Sequence, residues 1–299
     1  MSQAKQYEYV AAIAKCGGVS QAADLLGLSQ PTLSKQLKKI EESVGASLFD
    51  RSSMPLRLTE AGKLFLEMGQ KMLDLERQFQ KRLMEIKDSE SSVIRIGISP
   101  SRAPYMLPSL LSAYRSKKPN GKVIIEERTS AELSNHLSRG ELDLIISMLD
   151  EGTEGFSHIP LFHEHMLLAV ASSVSCSTTD EAIKSLPLIT VGEGQAMWKT
   201  ANRIIREIGA NAAAIECQSI ESGLSLVEKG LGAMIVPSYI ADFGAERREG
   251  IRFLSLPLSE GQTYRRTICL FYRKEQYLTQ AEKTFISCLD EIKSIPPLN

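Results

Sequence analysis

Ser34, Lys35 and Lys38 fall at spacings that gather them on one side of a helix, with Gln30 and Thr32 at its exposed N-terminal end. Gln and Lys match the donor and acceptor patterns of base-pair edges, whereas Ser, Thr and a helix N-terminus match phosphates. Ser20, Gln21, Ser29 and Pro31 lie just ahead or among them, and Arg51 and Arg57 form a second cluster beyond. The chemistry offered is recognition of duplex DNA. An ordinary solvated helix would carry the same side chains, so the surrounding elements have to decide.

Other reactive constellations are weak. Gly97–Ser101 is "GISPS", close to the G-x-S-x-G nucleophile elbow, but Ser101 replaces its last glycine. His163 and His165 could share a face of an extended run, yet no Cys or third His stands at metal-ligand spacing, and surface histidines are the simpler reading. The five cysteines are scattered without a CxxC, which is the usage of a reducing cytosol; no spacing identifies a redox pair. Neither a catalytic centre nor a cofactor or metal is expected.

The elements that must position the polar cluster begin with a helix over 3–15, whose Tyr7, Val10, Ala11 and Ala14 make one apolar stripe. Gly17-Gly18 stops it, and Ser20 is placed to cap a short second helix through Leu26. Gly27 supplies a tight turn. Ser29 then caps a third helix with Pro31 in its first turn, Leu33, Leu37, Ile40 and Val44 facing inward, and Gly45 at its end. Two short helices joined by a glycine turn, the second starting polar, is the helix-turn-helix pattern. Short strands near Leu48-Phe49 and Leu56–Leu58 flank a polar hairpin with Arg51 and Arg57, which reads as a wing. Residues 1–58 hold seven basic and five acidic side chains, so the unit is only mildly basic within a chain of net charge −1. Recognition must therefore come from placement and not from a global field.

From Thr59 to about Lys87 the apolar residues follow a seven-residue repeat: Phe65, Met72, Phe79 and Ile86 at one position, Met68 and Leu75 at the other. A helix whose only apolar feature is a narrow seam is marginal alone, so it is expected to pair with a second copy. Packing against its own C-terminal domain is the plainer alternative. Asp88–Ser92 is a polar linker, and strands then alternate with helices, which predicts α/β layers with mainly parallel sheets. At 299 residues, 43% hydrophobic and 24% charged, the chain can bury two or three domain cores. No apolar run reaches the ~20 residues of a membrane span, and the N-terminus lacks a signal pattern. A soluble cytoplasmic protein with no membrane partner is expected.

The run from "SQAADLLGLSQPTLSKQLKKIEESVGASLFDR" to "LRLTEAG" resembles the N-terminal domain of LysR-type transcriptional regulators over about sixty positions. "GELDLIIS" and "SGLSLVEKGLGAMIVP" extend the likeness more weakly into the C-terminal part. Asp50 beside the wing arginine is a departure that would weaken a phosphate contact there. The resemblance implies a winged helix-turn-helix over 1–58, a linker and dimerisation helix over 59–91, and an effector domain over 92–299. That last domain would be like periplasmic solute-binding folds, with one subdomain of 92–165 and 268–299 and the other of 166–267. It further implies a homodimer or homotetramer on promoter DNA, a small-molecule effector, and contact with RNA polymerase.

In open parallel sheets a ligand sits at the carboxyl ends of strands, against helix N-termini. Ser99, Ser101, Arg102, Thr129 and Ser147 fall there in one subdomain, and Thr190, Gly192 and Ser219 in the other. Hydroxyls and N–H groups converging with Arg102 suit a carboxylate or similar anion. Taken singly, Ser99, Thr129 and Ser219 would merely cap helices. Met197 and Trp198 are candidates for the pocket mouth or for core packing. Two crossings between subdomains, near 166–171 and 265–271, would make a hinge. The rival reading is an α/β solute-binding or metabolic domain whose N-terminal helices serve only dimerisation.

Overall fold

The computed structural model describes residues 3–87, 93–149, 153–176, 178–193, 196–210, 213–244, 248–256, 264–274 and 276–290. The predicted linker Asp88–Ser92 lies outside them, as do Gly194 and the end of the last predicted helix. The chain divides into two compact units, Met1–Leu83 and Met84–Asn299.

The first unit contains α1 (Gln3–Cys16), α2 (Val19–Leu25), α3 (Gln30–Val44), a hairpin of β1 (Phe49–Asp50) and β2 (Arg57–Leu58), and the start of α4 (Glu60–Lys87). Its core joins Val10, Ile13, Ala22, Leu33, Leu37, Ile40, Leu48 and Phe49. The buried arc of α1 is Tyr9, Val10, Ala12 and Ile13, not the stripe through Tyr7, Ala11 and Ala14, because α1 packs on both α2 and α3. Tyr7 turns instead toward α4, where its hydroxyl donates to Gln70 at 2.6 Å beside Gly69. The N-cap of α2 is Gly18, in extended backbone without a side-chain cap, so Ser20 lies inside the helix and exposed. Ser29 does cap α3, accepting from the Thr32 N–H at 3.4 Å, and Gly45 ends it at φ 76°. Val44, expected inside, is 42% exposed.

Only Gly62 is buried along the 28 residues of α4. Phe65 is half-buried, while Met68, Met72, Leu75, Phe79 and Ile86 are exposed, the last at 82%.

The second unit carries two five-stranded sheets. The first orders β4 (Lys122–Glu127), β3 (Val93–Ile98), β5 (Leu144–Met148), β12 (Arg266–Arg273) and β6 (Phe156–Glu164). The second orders β11 (Ile251–Ser255), β7 (Met166–Ala171), β10 (Ala233–Pro237), β8 (Leu188–Val191) and β9 (Ile215–Cys217). Helices α5 (Ala103–Lys117), α6 (Ser130–Ser138) and α11 (Gln280–Ser287) follow strands of the first sheet. Helices α7 (Thr179–Ser185), α8 (Ala196–Glu207), α9 (Ile220–Glu228) and α10 (Tyr239–Gly244) belong with the second. Both sheets are mixed: three strands run parallel, and β12 or β7 runs antiparallel between its neighbours. Strand β6 and helix α10 have no counterpart in the sequence reading. β6 is an edge strand with Pro160 in it, a position that tolerates a missing N–H.

His165 alone connects β6 to β7 and so carries the chain from one sheet to the other. Its N–H donates to Ser238 Oγ at 3.3 Å, and its carbonyl accepts from the Ser238 N–H at 2.8 Å. The return crossing enters at Arg266, which pairs in register with Glu164.

Candidate functional site

Helix α3 buries Leu33, Leu37 and Ile40 and turns Gln30, Pro31, Thr32, Ser34, Lys35 and Lys38 to solvent. Ser20, Gln21 and Ser29 are exposed on the elements before it, and Arg51 and Arg57 on the hairpin after it. Two of these side chains also hold local structure. Ser29 Oγ is committed to the cap and lies 2.7 Å from Thr32 Oγ1. Arg51 Nη2 donates to Glu41 at 2.9 Å, and the other oxygen of that carboxylate accepts the Leu48 N–H at 2.8 Å. Glu41 is thus a buried acid that ties the hairpin to α3, a role the sequence reading missed because its neighbour Glu42 is an exposed partner of Lys38.

Asp50 pairs across the hairpin with Arg57. It accepts from the Ser52 hydroxyl at 2.6 Å and the Ser52 N–H at 2.9 Å, and these bonds hold its carboxyl below the usual range, where the Arg57 charge also helps keep it ionised.

In the second unit a cavity of about 420 Å³ opens between the two sheets. Ser99, Ser101, Arg102 and Thr129 line it from the first sheet's side, and Ser219 and Met197 from the second. Ser147, Thr190 and Gly192 are not among its lining residues; Ser147 pairs with Cys269 in the sheet, and the Thr190 hydroxyl is buried without a hydrogen-bond partner. The strand-end rule leads to the cavity side of each sheet but not to how deep each residue sits. Trp198 borders a separate open groove along α8. Capping and lining are not alternatives here. Thr129 closes a capping box with Glu132, and Ser219 caps α9 by accepting the Ser222 N–H at 3.1 Å, while both border the cavity.

The floor holds what the sequence concealed. Arg102 donates through Nη1 to Ser99 at 3.3 Å and through Nη2 to Glu164 Oε1 at 3.0 Å, and Arg266 Nη2 bonds the same oxygen. The Arg102 guanidinium lies 5.4 Å from the centre of the Tyr239 ring. Tyr239 donates its hydroxyl to the Ser101 carbonyl at 3.2 Å and meets Tyr105 edge-on at 5.7 Å. Tyr105, on α5, reaches across to Glu221 on α9 at 2.6 Å, and Arg248 bonds that same carboxylate. Burial and the Glu221 charge push the Tyr105 hydroxyl up, and burial raises Tyr239 to about 12, so both remain hydrogen-bond donors. Glu164 and Arg266 sit about a hundred positions apart at opposite crossings, and nothing local in the sequence brings them together.

No lining residue of the cavity is a cysteine. Cys176, Cys269 and Cys288 are buried, and burial pushes the Cys269 thiol up, away from the thiolate that redox chemistry needs. His163 Nδ1 lies 3.1 Å from the Thr267 hydroxyl on the neighbouring strand, and among the described residues no group of His, Cys, Asp and Glu is arranged to hold a metal.

A winged helix-turn-helix joined to two α/β lobes that frame a cavity defines a DNA-reading sensor protein. Two family models match the chain: bacterial regulatory helix-turn-helix protein, lysR family, over residues 4–63, and LysR substrate binding domain over residues 87–293. The chain belongs to the LysR family of transcriptional regulators. It is 28% identical over 274 residues to the DNA-binding transcriptional dual regulator OxyR of Escherichia coli K12, covering 90% of this chain and 88% of that protein. Full-length OxyR from Pseudomonas aeruginosa, in a variant form, has the same fold at a TM-score of 0.64 and 24% identity, covering 99% of this chain and 95% of the other. Full-length CbnR complexed with its target DNA aligns at a TM-score of 0.61 and 21% identity, covering 98% and 100%. Among the described residues, no helix is long and apolar enough to cross a membrane.

Proposed function

We propose that this regulator binds promoter DNA as a cytoplasmic homodimer or homotetramer, and that a small anionic effector in the cavity between the lobes alters its DNA geometry. Helix α3 enters the major groove with Gln30, Ser34, Lys35 and Lys38 toward bases and phosphates, and Arg57 contacts the backbone from the wing. The exposed seam of Met68, Met72, Leu75 and Phe79 supports pairing through α4. Transcription then follows from contact with RNA polymerase, and no catalytic step is involved.

The observation that carries the effector reading is the cavity itself, where hydroxyls and the two arginines Arg102 and Arg266 meet from both lobes. A ligand that touches both lobes binds their two arrangements unequally, which is what a switch requires. Footprinting on the chain's own upstream region tests the DNA half. Lys35→Ala should relax sequence preference, whereas Arg57→Ala should weaken all sites alike and lower the salt slope by about one. Unchanged selectivity in Lys35→Ala would mean that α3 is oriented differently. A thermal-shift screen of small carboxylates tests the other half, since any hit should vanish in Arg102→Ala.

A further inference from the structure

The two guanidiniums on the cavity floor share one counterion. Glu164 is fully buried and does not itself line the cavity; its Oε1 accepts from both Arg102 and Arg266, and its Oε2 has no hydrogen-bond partner. The Nε atoms of both arginines are likewise buried without partners. Two cations against one anion leave a surplus of one positive charge in a place that water barely reaches, and an uncompensated buried charge is strongly unfavourable. Burial and the neighbouring Arg102 both pull the Arg266 pKa down against the pull of Glu164, as expected of such a surplus.

The rim has the opposite sign. Glu127, Glu132 and Glu221 border the cavity; Glu127 and Glu132 are exposed, and Glu221 is held by Arg248. Among the described residues the one rim cation is Arg128, and it is occupied by Glu126 at 2.8 Å. A ligand bearing one negative charge would bring the floor to neutrality. A second negative charge would find no further cation among the described lining residues and would have to lie against the acidic rim.

Resting on the anion-pocket reading above, we propose that Glu164 sets the ligand's charge. By cancelling one of the two floor arginines from behind, it makes the cavity selective for monocarboxylates over dicarboxylates. Glu164 is in this sense a specificity-determining residue that never touches the ligand. A carboxylate that merely braced the hinge would hold the same two arginines without shifting the preference between ligands of different charge.

The test uses the full-length chain and titration calorimetry with two matched pairs, propionate with succinate and benzoate with phthalate, at pH 8. Wild type should prefer each monocarboxylate, on the order of tenfold, the scale of one unit charge acting through a partly buried medium. Glu164→Gln raises the floor charge by one and should improve succinate and phthalate by about tenfold more than their partners, erasing or reversing the preference. Arg266→Gln with Glu164 in place makes the floor neutral, and should weaken propionate and benzoate about tenfold and the diacids further. Should Glu164→Gln fail to fold, Arg266→Gln decides alone, and unchanged monocarboxylate affinity overturns the proposal. Carboxylates that bind wild type and Glu164→Gln with the same charge preference overturn it while leaving the anion pocket standing. If none of the four binds wild type, the anion pocket falls and the charge assignment with it.

Discussion

Removing the Glu41 carboxylate should release the wing. Its two oxygens do different jobs: Oε1 takes the buried Leu48 N–H at 2.8 Å, and Oε2 takes Arg51 at 2.9 Å. In Glu41→Ala the Leu48 N–H is left buried and unpaired, which costs about 1–3 kcal/mol. The Arg51 partner is 70% exposed, so the ion pair adds only about 0.5–1 kcal/mol after solvent screening. The sum, about 1.5–4 kcal/mol, corresponds to amide exchange at Leu48 faster by on the order of 10- to 1000-fold if the hairpin opens locally. Glu41→Gln keeps an oxygen for the Leu48 N–H and loses only the charge, so its exchange should rise by roughly two- to fivefold. Hydrogen exchange followed at the Leu48 amide reads both variants directly, and DNA affinity should fall in the same order as the wing loses its fixed position. Exchange within threefold of wild type in Glu41→Ala, or equal effects of Ala and Gln, would refute this assignment of the two oxygens.

Three further outcomes are expected. Gly62→Ala places a Cβ over the Leu48 carbonyl oxygen and 2.9 Å from Leu58 Cδ2, and should destabilise the DNA-binding unit by about 3 kcal/mol, measured by urea denaturation. Leu75→Glu with Phe79→Glu puts charge on the exposed seam of α4, and should lower the oligomeric mass in sedimentation while leaving the helix content of the second unit unchanged. Tyr239 holds its proton more tightly in the fold than in the unfolded chain. Its contribution is therefore complete below about pH 10, the unfolded value, and is lost as pH rises through about 12. Alkaline melting of Tyr239→Phe should accordingly be less steep than that of wild type between those values.

What the sequence made legible was local. A cap at Ser29, a proline at Pro31, a left-handed glycine at Gly45 and an apolar stripe at helical spacing each act within a few residues, and α3 appears where they place it. The cavity's hydroxyl walls were half legible for the same reason, because caps such as Thr129 and Ser219 mark helix starts and helix starts mark strand ends. Two kinds of feature escaped. Strand β6 hides behind Pro160 and a mixed polar pattern that only a sheet edge permits. The Arg102–Glu164–Arg266 cluster depends on two distant crossings coming into register, and "HEH" around Glu164 reads locally as a surface stretch. Ser20 shows the reverse error: a good capping residue two positions too late, after Gly18 had already turned the chain.

A crossing of one residue has mechanical consequences. His165 is clasped on both its backbone groups by Ser238, so at this crossing little but its own two dihedral angles can turn, while the return crossing enters beside it at Arg266. Such a joint resists sliding and works like a hinge pin, with Glu164 set directly against the pin. A ligand held by Arg102 and Arg266 would sit on the two partners of Glu164, next to this crossing, and would bear on the angle between the lobes. Each degree at the pin becomes about a third of an ångström at points about 20 Å away. On the proposal above, the bulk of an effector would act on the angle between the lobes, while its charge would govern whether it is admitted.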